Sequence, residues 1–228
     1  MEIVNTRQDP FILYVEGEDD ERILNAWASV LGRQPLLKRF YIKKLGGGSK
    51  KDMCNFSGKH FDGLTKIVPN LKHIILFDYD SENSYHPEPN NPVLFEWKRR
   101  NIENYLLVPD TWQRSALAMR KETDINLFNN TIMNAIETFF NEQNLTLPKT
   151  KTWRDVSANI FSEVNGKKIL FENKDSLFQI LRERFGLIIN RVDLCNSFLP
   201  EELHQDVIDF FDKLEAVIKS APDGGQNP

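Results

Sequence analysis

Phe11-Ile12-Leu13-Tyr14-Val15 is a continuous apolar run of strand length, and it stops abruptly at Glu16-Gly17-Glu18-Asp19-Asp20. A second such run, His73-Ile74-Ile75-Leu76-Phe77, leads straight into Asp78-Tyr79-Asp80-Ser81. Neither run alternates apolar with polar residues, the pattern of a strand covered on both faces, as in a parallel sheet. Between them, Ile23, Leu24, Trp27, Val30 and Leu31 recur at helical spacing, with Asp19 and Asp20 placed to cap that helix. Phe40-Tyr41-Ile42 reads as a short strand and Phe61 to Val68 as a short helix. Strand, helix, strand, helix, strand through residue 80 predicts a parallel α/β sheet. In such sheets, sites form where the carboxyl ends of neighbouring strands open into loops. Glu16 and Asp78 each follow a buried strand directly, so both acids are expected along that one edge.

Outward from this core the chain is punctuated. Residues 1–10 are polar and end in Pro10, which reads as a tail or a linker, and residues 83–92 are rich in Asn and Pro, as exposed loops are. Beyond residue 110 the pattern becomes helical, with amphipathic stretches expected at Leu127–Phe140, Leu177–Phe185 and Leu203–Ile218. Pro148, the Asn165-Gly166 turn and Pro200 separate them. The expected organisation is a tail over 1–10, an α/β core over 11–110, a helical extension over 111–220 packed on the sheet, and a disordered tail over 221–228.

The net charge of −4 argues against a simple electrostatic nucleic-acid binder, but the charge is unevenly spread. Residues 38–51 carry Lys38, Arg39, Lys43, Lys44, Lys50 and Lys51 with no acid among them, and Lys98-Arg99-Arg100 forms a second basic knot. Solvated surfaces also produce such runs. Cys54 and Cys195 stand far apart without a CxxC or a nearby His, so reduced thiols are expected rather than a zinc site. His60, His73, His86 and His204 are scattered without triad-like company, and the four Trp read as core residues. No signal-peptide pattern and no membrane-length apolar run is present, so the expectation is a cytoplasmic protein that does not bind membranes.

The two acid motifs carry the chemistry. Hard divalent cations such as Mg²⁺ bind carboxylate oxygens. Acids spaced by two in an extended segment point the same way, so Asp78 and Asp80 can share a side, and Asp20 lies one helical turn beyond Glu16. Gly17 permits a tight turn at that point.

At these residues the sequence resembles the TOPRIM domain, whose pattern is a strand ending in Glu-Gly followed by a strand ending in Asp-x-Asp. Here these are Val15-Glu16-Gly17 and Phe77-Asp78-Tyr79-Asp80, with Leu45-Gly46-Gly47-Gly48-Ser49-Lys50 where such domains carry a Gly-containing loop. Two later segments resemble the OLD-family (overcoming lysogenization defect) nucleases in particular. Trp97 to Leu106 resembles the stretch where these place another acid, which makes Glu103 a candidate ligand or an orienter of the attacking water. Val164-Asn165-Gly166-Lys167-Lys168-Ile169-Leu170 resembles the stretch with a catalytic lysine, Lys167 being the choice and Lys168 the alternative.

The resemblance implies a TOPRIM-like parallel-sheet core and a metal-dependent nuclease with two Mg²⁺ or Mn²⁺ ions. Glu16, Asp20, Asp78, Asp80 and Glu103 are the expected metal ligands. Lys167 is expected to neutralise charge in the transition state, and Gly46, Gly47, Gly48 and Lys50 to cradle a phosphate. DNA is the preferred expectation over RNA. Full OLD proteins carry an ABC-type ATPase ahead of this part, and no GxxxxGK[ST] loop is present here. An excised N-terminal ATPase domain or a separate ATPase subunit, in phage defence, is therefore the expected partner. The rival reading is a non-catalytic subunit that binds a metal and docks on such an ATPase.

Overall fold

A computed structural model of the chain describes residues 10–68, 70–79, 93–120, 126–157 and 159–220. The two apolar runs form strands β1 (Phe11–Val15) and β3 (Lys72–Phe77), joined by β2 (Tyr41–Lys44) and β4 (Leu94–Glu96) in a four-stranded sheet of order β2-β1-β3-β4. Every pairing is parallel: Leu13 lies beside Ile42 on one side and Ile74 on the other, and Leu76 beside Phe95. The unbroken hydrophobicity of β1 has a plain cause, since all five residues are buried. Phe11, Leu13 and Val15 face the larger core, together with Ile74 and Leu76. Ile12 and Tyr14 face a smaller core with Ile75 and Phe77. Period-2 alternation is thus present in space, with an apolar layer on each side.

Helix α1 (Glu18–Val30) covers the larger face through Ile23, Leu24, Trp27 and Ala28. A short α2 (Gln34–Leu37) leads into β2. On the opposite face lies α3 (Lys50–Thr65), capped by Ser49, whose side chain accepts from the Asp52 N–H at 3.2 Å. This helix begins eleven residues before the expected start at Phe61 (61 minus 50). Its buried positions, Lys50, Met53, Ser57 and Leu64, are sparse and partly polar, so its first half carries little apolar signal.

The helical half adds α4 (Pro109–Ala118), α5 (Asn126–Glu142), α6 (Asn159–Glu163), α7 (Leu177–Phe185), α8 (Arg191–Asn196) and α9 (Gln205–Lys219), with 3₁₀ turns at Ile102–Leu106 and Pro200–Glu202 and a π turn at Lys168–Glu172. Its apolar faces share the larger core with the sheet. Trp97 is edge-on to Trp27 at 6.2 Å and 5.4 Å from Phe210 of α9, so the aromatic centre is built from both halves of the chain. Sequence reading missed the short β4, α2, α6 and α8 and also the ten-residue α4, but found α7 and placed α5 and α9 within two residues at each end. Residues 1–9 of the expected tail over 1–10, Asp80, the loop at 83–92 and the tail at 221–228 lie outside the described residues. Among those described, no helix is long and apolar enough to cross a membrane.

Candidate metal centre

Four carboxylates from four segments lie near the carboxyl edge of the sheet, where Glu16, Asp20 and Glu103 each act on the charge of Asp78. Glu16 follows β1, and Asp78 follows β3, the neighbouring strand. Asp20 stands in the first turn of α1, and its Oδ2 accepts from the Gly17 N–H at 2.7 Å. The helix is therefore entered through Gly17, and Asp20 folds back onto that entry rather than preceding the helix as its cap. Glu103 lies on the 3₁₀ turn Ile102–Leu106 after β4, only 3% exposed. The same turn touches the cluster through the Ile102 N–H, which donates to Asp78 Oδ1 at 3.1 Å.

The glycine loop joins this edge. Leu45 and Gly46 donate to the carbonyls of Val15 and Glu16 at 2.9 and 3.0 Å, extending the β1–β2 ladder. Gly46, Gly47 and Gly48 have φ of +85°, +80° and +120°, a run of left-handed backbone that side-chain-bearing residues resist. A Cβ on Gly47 would stand 3.6 Å from Glu16 Oε1, so the loop crosses directly over that carboxylate.

The electrostatics are those of crowded anions. Burial pushes the Asp20 carboxyl up to about 7, with Glu16, Glu103 and Asp19 adding to the rise and the Gly17 hydrogen bond opposing it. Burial likewise raises Asp78 well above the usual carboxylate range, reinforced by Asp20, Glu16 and Glu103. Glu103 is raised by burial and partly relieved by Arg191 and Lys167. Like charges buried together favour protonation unless a cation joins them. Among the described residues, no three His, Cys, Asp or Glu side chains are gathered closely enough to hold an ion as they stand. Asp20 is engaged with its own helix start and Glu103 with Arg191. The donor set still fits a hard divalent cation, being all carboxylate oxygens with a deficit of positive charge. Next to Ile102, the buried Oδ1 of Asn101 has no hydrogen-bond partner among the described residues, which leaves a further oxygen donor on this turn.

Arg191 is the residue that sequence reading missed. It opens α8, its Nε lies 3.1 Å from Glu103 Oε1 and 3.5 Å from Asp19 Oδ2, and its guanidinium stacks 4.2 Å from the Phe171 ring centre. Nothing in Asn190-Arg191-Val192 marks it, because its partner is 88 residues away. Lys167 is about half exposed and lies 3.6 Å from Glu172 across the π turn, yet its charge also acts on Glu103. Lys168 is exposed on the following position. Lys50, expected to cradle a phosphate, lies beside the glycine loop at the start of α3. Its side chain is 6% exposed and ion-paired with Glu96 at the end of β4, which ties its ammonium to the sheet edge.

No protein-family model matches the chain, and no curated protein matches it. Solved structures do match. The chain is similar in structure to the C-terminal regions of OLD proteins. For the Xanthomonas campestris pv. campestris protein, the similarity covers 92% of this chain and 97% of that one, with a TM-score of 0.45 at 14% identity. A second structure of the same region gives 0.46 at 13% identity, over 94% and 96%. For the Burkholderia pseudomallei protein it covers 94% and 99%, with a TM-score of 0.43 at 12% identity. Likeness at this level concerns the course of the chain, and the reading of the site stands on the geometry described above.

Proposed function

We propose that this chain is a divalent-metal-dependent nuclease that hydrolyses nucleic-acid phosphodiesters at the acid cluster of Glu16, Asp20, Asp78 and Glu103. The observation that carries the reading is the cluster itself: half-buried Glu16, Asp20 and Asp78 and buried Glu103 act on one another's charge at the carboxyl edge of a parallel sheet. Such crowding opposes folding, and a fold retains it where a cation is to be held. Asp80, two residues beyond Asp78, is proposed as a fifth ligand. Two Mg²⁺ or Mn²⁺ ions bound there would activate water and stabilise the leaving oxygen.

The remaining residues have roles around that centre. The Gly46–Gly48 loop presents backbone beside Glu16, where the N–H groups of Gly47 and Gly48 can donate to a phosphate oxygen while that of Gly46 stays on the Glu16 carbonyl. Lys167 supplies positive charge next to Glu103, suited to the charge that builds on the phosphate in the transition state. Arg191 holds Glu103 in place from the other side. The OLD resemblance of the acid motifs extends the proposal to DNA as substrate, and to an ABC-type ATPase as the controlling partner in phage defence.

Incubating the chain with plasmid DNA, single-stranded DNA and tRNA under Mg²⁺, Mn²⁺ or EDTA tests the reading, with and without a candidate ATPase. Metal-dependent cleavage lost in Asp78→Ala supports it. The absence of a ready-made cage among the described acids also suits a non-catalytic, metal-binding subunit. Mn²⁺ binding without cleavage of any substrate would decide for that alternative.

A further inference from the structure

Asn104 follows Glu103 and is fully buried, and its side chain is committed to one distant segment. Its Nδ2 donates to the carbonyls of Phe161 and Val164 at 2.9 and 2.7 Å, and its Oδ1 accepts the Gly166 N–H at 3.0 Å. Gly166 is pressed so close that a Cβ there would stand 2.8 Å from both the backbone N and Oδ1 of Asn104 and 2.9 Å from its Cα. No side chain fits at those separations, and the obstruction is largely backbone. A weaker second tie runs alongside: Asn165 Oδ1 accepts from Asn101 Nδ2 at 3.3 Å and from the Lys168 N–H at 3.0 Å. The turn itself is fixed from below, since the Arg99 guanidinium donates to the Asn104 carbonyl at 2.9 Å and to that of Val156 at 3.1 Å.

One short turn therefore carries an acid of the cluster and, at the next position, the clamp on the loop that bears Lys167. We infer that Asn104 and Gly166 are positioning residues that set the height of Lys167 over the acid cluster, an inference that rests on the nuclease reading above. The lysine side chain is half exposed and long, so its ammonium is only as well placed as its backbone anchor. A buried amide with every hydrogen-bonding group satisfied by one loop specifies that loop's position, and nearby apolar packing cannot replace that specification. Displacing a reacting group by about 1 Å can cost about 100-fold in rate.

The experiment is a cycle of steady-state kinetics on Asn104→Ala, Lys167→Ala and the double variant. Gly166→Ala and the milder Asn165→Ala probe the same clamp from its other side. Mn²⁺ affinity and thermal unfolding are measured for each. Asn104→Ala and Gly166→Ala should lower kcat by about 100-fold, with KM and Mn²⁺ affinity unchanged. The double variant should be no slower than Lys167→Ala alone, because residues acting through one another are not additive. Amide exchange at Gly166 should accelerate in Asn104→Ala, which reports the clamp independently of turnover. Multiplying losses in the double variant overturn the inference, as does wild-type kcat in a folded Gly166→Ala protein. If Asn104→Ala and Gly166→Ala fail to fold, wild-type kcat in Asn165→Ala overturns it as well. An inactive wild-type chain would sink the nuclease reading and this inference with it, whereas an active wild type with a multiplicative cycle sinks the inference alone.

Discussion

Replacing Asp20 by Asn should make the metal-free protein more stable at neutral pH, and the structure indicates by how much. In the folded chain the Asp20 carboxyl titrates near 7 instead of its ordinary 3.8, with burial the largest cause and the charges of Glu16, Glu103 and Asp19 adding to it. A carboxyl that binds its proton more tightly when folded costs stability as pH rises. Below about pH 4 folded and unfolded chains both hold the proton, and the penalty is absent. Between about 4 and 7 the penalty grows by about 1.4 kcal/mol per pH unit, and above 7 it levels off near 4 kcal/mol. Asparagine removes the titration while keeping an oxygen to accept the Gly17 N–H. The weaker bond to a neutral acceptor is already contained in the rise to about 7, which the Gly17 N–H opposes. A gain of about 4 kcal/mol in a domain of this size corresponds to a rise in Tm on the order of 10 °C. Thermal unfolding of both proteins in EDTA at pH 5 and pH 8 measures it, with less than half of the gain expected at pH 5. Added Mg²⁺ should raise the wild-type Tm at pH 8, through binding to the folded state alone, and should do little for Asp20→Asn. An Asp20→Asn protein no more stable than wild type at pH 8 without metal would refute the picture of a strained acid cluster.

Three further outcomes test the same site. Glu16→Ala and Asp78→Asn should bring metal-dependent cleavage to background while circular dichroism stays native, the asparagine retaining an acceptor for the Ile102 N–H; full activity in either would remove the metal-site assignment. Lys167→Ala should lose most turnover but keep Mn²⁺ and nucleic-acid binding, whereas Lys168→Ala should cleave like wild type, and a reversed result in the gel assay would move the role to Lys168. Arg191→Ala strands Glu103, whose side chain is 4% exposed, and should cost about 3 kcal/mol at pH 8 without metal. The loss should shrink as pH falls, because burial favours the protonated form of Glu103, and Mg²⁺ should recover part of it. Unchanged unfolding in EDTA at pH 8 would show that the ion pair does not hold Glu103.

The sequence alone determined three strands of the parallel sheet and the edge on which Glu16 and Asp78 fall. Phe11–Val15 and His73–Phe77 are apolar throughout because layers cover both faces, and that needs no knowledge of which layer each residue meets. Acids directly after such strands must fall on the carboxyl edge, so Glu16 and Asp78 were legible before any coordinates. Helices α5, α7 and α9 were legible too, because each presents a broad apolar stripe at helical spacing. Tertiary structure decided what depends on partners far along the chain. Only the fold shows that odd residues of β1 join the large core and even ones the small core. A three-residue strand such as Leu94–Glu96 carries too little pattern to be read, and it exists because Phe77 and Ile75 offer it an edge. The ion pair of Lys50 with Glu96, 46 residues on, likewise has no trace in the local sequence. Arg191 and Asn104 have no local signature at all. Their partners, Glu103 and the Phe161–Gly166 segment, reach them only once the helical half has packed onto the shared core, since hydrogen bonds and ion pairs are decided by proximity in space and leave no period in the sequence.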